Sequence, residues 1–221
     1  MRTLAVALLT ALTGACTSAE STAPTAAPAE AQGTGTVVEW VGMKSPAPAE
    51  WKEVTPSSSM RKAQLAAPKA AGDPEDAEVV IFEFKGGGGV DANLKRQLAV
   101  FQPPAGKDKV EEKQQKIRVG PNEGVLQEVG GTFLKKAGGP FDPNAKTTPV
   151  PGYKQLYVVF ETKDGVTASA WLRGPEKTVE KHRQGFETWV KNFKSRDGGK
   201  CAMRARSGLP HRIALPAGPR T

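Results

Sequence analysis

The sequence predicts an α+β fold, an antiparallel β-sheet with two packed helices, in a single domain at residues 36–194 of 221. Most apolar segments are short and bounded by Gly or Pro, as the strands of a sheet usually are. Apolar residues recur at helical spacing in two segments. A series of strands interrupted by only two helices favours an antiparallel sheet over alternating βαβ units.

The strands of the N-terminal half are predicted from short apolar runs. Residues 36–41 (TVVEWV) and 61–67 predict two strands, and Trp51, in a Pro-rich bend, is a predicted core residue. Residues 79–84 (VVIFEF) are apolar on both sides of a strand, which is typical of a central position in a sheet. Between the predicted strands at 61–67 and 79–84, residues 72–78 (GDPEDAE) predict a plain acidic turn.

A first helix is predicted after a run of four glycines. Leu94, Leu98 and Phe101 lie at i, i+4 and i+7, on one face of a helix. Asp91 is the predicted N-cap, and the Pro-Pro pair at 103–104 is predicted to end the helix.

The glycines at 86–89 follow a strand and precede this helix, a layout shared with phosphate-binding loops. A dinucleotide-binding fingerprint would need a third glycine where Asp91 stands, and a P-loop would need Gly-Lys-Ser/Thr. We therefore interpret the glycines as a loop that adopts positive φ, and we predict no cofactor.

Further strands are predicted at 114–119 and 124–134, with a turn at 120–123 between them. A charged loop at 104–113 precedes them, and the Gly- and Pro-rich residues 138–152 predict a long loop.

A hairpin follows, predicted from the Asp-Gly pair at 164–165, which is typical of a two-residue type I′ turn. Such a turn would pair Lys163 with Val166, and therefore Val158 with Trp171.

The second helix is predicted to begin with Pro175 at its first position. Its apolar residues lie at offsets 0, 7, 10, 11 and 14: Val179, Phe186, Trp189, Val190 and Phe193. A stripe of this kind must pack on a sheet or in a groove.

The N-terminus has the organisation of a secretory signal. A basic Arg2 precedes a mostly apolar run that is too short to span a bilayer as a helix. Leu12-Thr13-Gly14-Ala15-Cys16 resembles the lipobox of bacterial lipoproteins, which implies a diacylglycerol on Cys16 and cleavage just before it. The alternative is an ordinary cleaved signal with a cysteine nearby by chance.

This resemblance predicts a signal peptide at 1–15, a lipidated Cys16 with a disordered tether at 16–35, and a lipid anchor in a membrane of the cell envelope after export. The residues at 195–221 have no periodicity and predict a disordered basic tail. Because that tail holds six basic residues against one acid, the domain itself is only mildly basic, and we predict no nucleic-acid partner.

No catalytic or metal-binding residues are assigned. His182 is predicted to pack by its carbon face beside the helical stripe, His211 and the second thiol Cys201 lie in the tail, and Ser57–Ser59 lack a nucleophile elbow. Two distant histidines do not predict a transition-metal site, and the carboxylates Asp73, Glu75, Asp76 and Glu78 lack the spacing of an EF-hand. The four tryptophans are predicted core residues, with Trp40 or Trp51 lining a ligand groove as the alternative.

Several segments together resemble a group of uncharacterised secreted bacterial proteins: Trp40 and Trp51 around the bend, Met60-Arg61-Lys62-Ala63, the strand at 78–84, the glycine turn and Asn93-Leu94-Lys95-Arg96. Their layout is similar to the PsbP-type α/β/α sandwich. The resemblance implies that fold and, by analogy, a structural or assembly role, and it brings no catalytic motif.

The function predicted is that of a membrane-anchored lipoprotein that binds another envelope protein or a small ligand. A hydrolytic enzyme with a dispersed active site is the alternative. A deep pocket with convergent polar groups and a shifted pKa would favour the enzyme, and a flat exposed apolar patch would favour a protein partner. A smooth charged surface would favour neither.

Overall fold

The computed structural model describes residues 33–137 and 146–195, which form eleven strands and two helices. The helices are α1 (Gly89–Leu98) and α2 (Glu176–Lys191). The strands are β1 (Val37–Trp40), β2 (Met43–Pro46), β3 (Lys52–Glu53), β4 (Ala63–Ala67), β5 (Ala77–Lys85), β6 (Phe101–Gln102), β7 (Glu111–Val119), β8 (Asn122–Ala137), β9 (Lys146–Glu161), β10 (Val166–Pro175) and β11 (Lys194–Ser195).

Eight of the strands form one antiparallel sheet in the order β3-β4-β5-β10-β9-β8-β6, with β7 pairing β8 beside β6. The other three form a small sheet in the order β1-β2-β11. The α+β prediction, an antiparallel sheet with two helices, is confirmed. In the described ranges no helix is both long and apolar enough to cross a membrane.

The two helices pack on opposite faces of the large sheet. Side chains alternate along a strand, so neighbouring residues of β9 point to different faces. Leu156 and Val158 pack with α2 in the main core, whereas Tyr157 and Val159 pack with Leu94 of α1. We call these the α2 face and the α1 face.

The main core lies on the α2 face, where the small sheet and α2 both pack. The predicted stripe of α2 is confirmed, since all five of its residues are buried. Phe193 lies beyond the helix end and packs edge-on against Trp40, with ring centroids 5.3 Å apart. Burying each large apolar side chain contributes about 1.5–3 kcal/mol, so this stripe holds α2 on the sheet.

Helix α1 differs from its prediction at both ends. It begins after Gly88, whose φ of 86° only glycine adopts readily, and Asp91 lies in its first turn, so the predicted N-cap was wrong. It ends at Leu98, before the Pro-Pro pair, and Phe101 pairs with Phe133 in a strand. The spacing of Leu94, Leu98 and Phe101 fits a helix that continues to Phe101. It fits equally well a helix that ends at Leu98 and is followed by a short edge strand.

The strands around the predicted loops are longer than predicted. β7 begins at Glu111, within the predicted charged loop, and β9 begins at Lys146, within the predicted loop at 138–152; residues 138–145 lie outside the described ranges. At its N-terminal end β9 pairs with β8 alone and therefore lies at an edge of the sheet. Edge strands tolerate proline and polar side chains. Exposed strands of this kind lack the apolar alternation by which a strand is predicted.

The β9–β10 turn has three residues, not the predicted two. Thr162 and Val166 exchange backbone and side-chain hydrogen bonds around Lys163-Asp164-Gly165, and Gly165 has a φ of 73°. This geometry is that of a type I turn closed by a left-handed residue. The extra residue moves the register by one, so that Val158 lies opposite Ala170 and Trp171 opposite Tyr157.

Residues next to both predicted domain boundaries contact residues of the domain. The Gly35 amide donates to the Ala47 carbonyl at 2.9 Å, within the predicted tether, and Ser195 pairs with Met43, at the start of the predicted tail. Pro175 is the N-cap of α2 and not its first helical residue. The predicted signal peptide, Cys16 and the rest of the predicted tether and tail lie outside the described ranges.

Candidate functional site

An open groove lies beside α1 on the α1 face of the large sheet. Helix α1 has only ten residues and packs over β8 and β9, which leaves the faces of β5 and β10 uncovered. The uncovered strands form the floor, and α1 and the segment 57–61 form the walls. The groove encloses about 990 Å³, and its lining residues are Ser57, Ser58, Ser59, Met60, Arg61, Phe82, Phe84, Asn93, Arg96, Gln97, Tyr157, Ser169 and Trp171. We call it the α1-face groove.

Three aromatic side chains form a continuous surface on the floor, which we call the aromatic shelf. Phe82 packs against Trp171 with ring centroids 4.6 Å apart and stacks on Phe84 at 5.9 Å. Phe84 remains 39% exposed. Trp171 belongs to this shelf because the three-residue β9–β10 turn pairs it with Tyr157 and not, as predicted, with Val158. A shift of one residue in strand pairing moves a side chain to the other face of the sheet.

An ion cluster of Arg61, Glu78 and Arg173 supports one end of the shelf. The Glu78 carboxylate pairs with both guanidiniums, 3.3 Å from Arg173, and accepts a hydrogen bond from Trp171 Nε1 at 3.3 Å. Arg173 also lies over the Trp171 ring at 4.2 Å and the Phe133 ring at 4.4 Å. Trp171 is thereby fixed both at its indole N–H and on its ring face.

A smaller cavity of about 420 Å³ adjoins the groove beyond this ion cluster, and Arg61 lines both. Its wall includes Tyr153, whose hydroxyl donates to Glu75. Burial and this hydrogen bond raise the pKa of Tyr153 well above its usual value, so the phenol stays neutral. The hydrogen bond between Tyr153 and Glu75 thus forms a fixed part of the wall of this cavity.

The α1 wall of the groove contributes an amide and a guanidinium. The Asn93 side chain donates to the carbonyls of Gly87 (2.9 Å) and Gly89 (2.6 Å), which ties the glycine loop to the helix. Its Oδ1 accepts from Arg96 Nη1 at 2.7 Å. Burial raises the pKa of Tyr157 to about 12, against the opposing effects of a hydrogen bond with Ser169 and the charge of Arg96.

The glycine run serves as the connection from the floor of the groove to its wall. Gly86, Gly88 and Gly89 have φ values of 70°, 86° and 73°, as the predicted positive-φ loop requires. The preceding strand β5 pairs antiparallel with both of its neighbours, so the crossover of a dinucleotide-binding fold is not formed there.

The predicted plain acidic turn carries individual structural contacts. Asp73 accepts from the Thr178 amide (2.8 Å) and hydroxyl (2.6 Å), and so caps the N-terminus of α2 from a distant turn. Asp76 accepts from the Lys69 amide at 2.9 Å, and Glu75 and Glu78 have the partners described above. Among the described residues no group of three or more metal-ligating side chains converges.

His182 lies in the main core, away from the groove, and its surroundings are more polar than predicted. Trp51 Nε1 donates to Nδ1 at 3.2 Å, and Nε2 lies 2.8 Å from the Pro68 carbonyl. The exposed Glu50 carboxylate lies 2.9 Å from Nδ1. The His182 ring is buried against Trp51, and partners far along the chain also reach both of its nitrogens, which the sequence did not predict.

The remaining predicted candidates separate between the two faces. Ser57–Ser59 line the groove on the α1 face, whereas His182 is buried on the α2 face, so the structure does not bring these residue types together. Trp40 and Trp51 are core residues, as predicted, whereas the prediction of a core position for Trp171 was wrong, since it is only partly buried and lines the α1-face groove. Cys16, Cys201 and His211 lie outside the described ranges.

Sequence reasoning missed most of the groove. In the sequence, Arg61, Arg96 and Trp171 belong only to predicted strands and helices or to the family resemblance. One local pattern did indicate part of the groove. Residues 79–84 are apolar on both sides of the strand, and the alternation places Phe82 and Phe84 on the face opposite Ile81.

No protein-family model matches the chain, and no curated protein matches it. The chain is similar to a protein of Bacteroides thetaiotaomicron VPI-5482 whose crystal structure was solved at 1.50 Å, with a TM-score of 0.43 and 10% identity. The match covers 76% of this chain and 50% of that one, so the chain spans about half the length of that protein.

Proposed function

We propose that this chain is an exported bacterial lipoprotein, anchored through lipid on Cys16, whose domain binds a small ligand in the α1-face groove. The observation that carries the binding proposal is the groove itself. Its volume of about 990 Å³ lies at the upper end of the range usual for small-molecule sites, about 300–1,000 Å³. It also combines an aromatic floor with hydroxyl, amide and guanidinium groups, the mixture by which such sites orient a ligand.

The PsbP-type layout is part of the same proposal. It is supported by the packing of α1 on one face of the large sheet and of α2 on the other. The analogy concerns architecture alone, and the ligand has to be argued from the side chains of this groove.

A small ligand is a better occupant than another envelope protein. Of the described residues at the groove, Met60 and Phe84 are the large apolar ones that are exposed, at 37% and 39%. A standard protein interface buries about 800 Å² on each partner around an apolar centre. Two exposed side chains beside a concave groove fit a small molecule more closely than a flat surface of that size.

The ligand proposal is tested by thermal unfolding of the full chain in the presence of a metabolite library. A ligand at about one hundred times its Kd stabilises the folded state by about 2.7 kcal/mol, a readily measured increase in Tm. Phe84→Ser is expected to abolish the increase, whereas Val37→Ser, at a site 61% exposed and outside the groove, is expected to retain it. If no compound raises Tm and a pull-down from envelope extracts instead recovers a protein that Phe84→Ser loses, the occupant is a protein.

The anchor is tested separately by membrane fractionation and mass spectrometry. Cys16→Ser is expected to release the protein from membranes, since stable anchoring needs the two or more acyl chains that this cysteine would carry. Cys201→Ser is the matched control and is expected to stay membrane-bound. A mature protein with an unmodified Cys16 would contradict the anchor and leave the groove proposal intact.

A further inference from the structure

The charges of the α1-face groove are all of one sign. Arg61 and Arg96 are its charged lining residues, and no carboxylate is among them. Arg61 is already paired with Glu78. Arg96 donates one hydrogen bond to the neutral Asn93, and within the described ranges no carboxylate lies at ion-pair distance from it. A guanidinium has five N–H donors, so Arg96 keeps both its charge and most of its donors for another partner.

The position of Arg96 on α1 does not by itself explain this charge. A basic residue in the last turn of a helix is favourable because it faces the negative end of the helix dipole, and Lys95 occupies the same turn. Lys95 is exposed and does not line the groove. Both Lys95 and Arg96 can therefore interact with the negative end of the helix dipole, but of the two only Arg96 lines the groove.

The aromatic shelf provides the second half of a recognition surface. Phe82 and Phe84 are stacked with 24° between their ring planes, and Phe82 is in contact with Trp171. Phe84 is 39% exposed, so part of this stacked pair faces the open groove. An exposed ring held flat by its neighbours is a surface on which another planar ring can stack.

We infer that the ligand of this groove is a small anion that carries a planar aromatic ring, such as an aromatic carboxylate. The inference rests on the proposed function of the groove. The ring would stack on the aromatic shelf, and the anionic group would accept hydrogen bonds from Arg96. A neutral ring compound could offer Arg96 only an uncharged acceptor, which forms a weaker hydrogen bond than an anion does, and a cationic ring compound would be repelled.

The experiment is isothermal titration calorimetry of the full chain in a mild detergent, with a blank titration into detergent alone. The probes are 1-naphthoate, the neutral 1-naphthalenemethanol with the same ring system, and inorganic phosphate. We expect 1-naphthoate to bind at least about tenfold more tightly than the neutral compound, since a hydrogen bond to a charged group contributes about 1.5–3 kcal/mol. Phosphate alone is expected to give no measurable binding.

Three variants locate the two contacts. Arg96→Gln is expected to weaken 1-naphthoate at least about tenfold and to leave 1-naphthalenemethanol unchanged. Lys95→Gln removes the same charge from the same helical turn and is expected to leave both probes unchanged. Phe84→Ser is expected to weaken both ring compounds. Circular dichroism and Tm confirm that each variant is folded, as expected for exposed positions.

Each remaining outcome has a definite meaning. If the two ring compounds bind equally, or if Lys95→Gln weakens 1-naphthoate as much as Arg96→Gln does, the anion preference is wrong and the groove proposal stands. If phosphate binds as tightly as 1-naphthoate, the shelf has no role and the inference is wrong. If the folded wild-type chain binds none of the probes at millimolar concentration, the inference is overturned, and the thermal screen alone then decides whether the groove binds a ligand of another class.

Discussion

Trp171 lies directly opposite Tyr157 in the β9–β10 pair, and both side chains line the α1-face groove. The pairing expected from a two-residue turn would have put Trp171 opposite Val158, on the face that packs against α2. A single additional turn residue therefore decides whether this tryptophan is a core residue or part of a binding surface. Glu78 then fixes the indole in place by accepting its N–H at 3.3 Å.

The turn itself gives the first prediction. Gly165→Ala is expected to lower the free energy of unfolding by about 1–2 kcal/mol, because an L-residue in the left-handed region is strained. The strain comes from the backbone alone, since no atom lies within 4 Å of the site where a Cβ would be added. Chemical denaturation measures the loss, and Lys163→Ala in the same turn is the control. Equal stabilities of the two variants would contradict the three-residue turn.

The ion cluster gives a second prediction. Glu78→Gln keeps an acceptor for Trp171 but leaves Arg61 and Arg173, whose side chains are 18% and 14% exposed, without a counter-charge. We expect the free energy of unfolding to fall by about 1–3 kcal/mol. The matched control is Glu39→Gln, whose pairing with Lys44 is exposed and whose loss is expected to cost less than about 0.5 kcal/mol. Similar losses in both variants would mean that Glu78 has no special structural role.

Helix α2 gives a third prediction, because its cap comes from outside the helix. Pro175 has no side-chain acceptor, and Asp73 accepts from the Thr178 amide in its place. Asp73→Ala is expected to lower the free energy of unfolding by about 1 kcal/mol, and Asp73→Asn by much less, because asparagine retains the acceptor. Urea denaturation of both variants, with the exposed Asp108→Ala as a control, measures the difference. A loss as large for Asn as for Ala would show that charge, and not the hydrogen bond, is what matters.

A fourth prediction concerns pH and the carboxylates beside α2. Hydrogen bonds from Arg183 hold the pKa of Glu180 at about 2, below its ordinary value of 4.5. A carboxylate with a lowered folded-state pKa stabilises the fold fully above its unfolded-state pKa, and this contribution is lost as the pH falls from about 4.5 towards 2. The contribution is modest because the Glu180 side chain is 41% exposed and screened by water.

The measurement is the free energy of unfolding of the wild type and of Arg183→Gln between pH 5 and pH 2. The variant is expected to have a weaker dependence on pH over this interval, since its Glu180 titrates closer to the unfolded-state value. Lys44→Gln, which alters an exposed pair elsewhere, is expected to retain the wild-type slope. Parallel curves for wild type and Arg183→Gln would show that Glu180 is not held by this arginine.

Elements with strong local periodicity were predicted well. The stripe of α2 and the central strand β5 each contain a run of apolar residues long enough to determine one packing arrangement. The ribbon formed by the ends of β8 and β9 was missed, because its exposed polar residues and prolines carry no apolar alternation. Helix α1 was predicted, but its first residue was wrong. Its N-cap is Gly88, with a positive φ, and not one of the side chains that mark many helix starts.

The candidate groove was hardly visible in the sequence for a related reason. Its residues come from the segment 57–61, from α1 and from three strands, and the groove exists only where a short helix fails to cover the sheet. The hydrogen bond between Trp51 and His182 was likewise not visible in the sequence, because the two residues are 131 positions apart. Contacts of this separation depend on strand order, which local patterns do not specify.

By itself the sequence determined the fold class, the side of α2 that packs in the core and the positive-φ glycine loop, because each follows from a local pattern of residues. It also carries the lipobox-like segment that ends at Cys16, and the lipid anchor remains a prediction from that segment. Only the tertiary structure decided the β9–β10 register, the pairing of Glu78 with two arginines and the opening of the α1-face groove. These features depend on which distant strands become neighbours, and one residue of register is enough to move a side chain from the core to the surface.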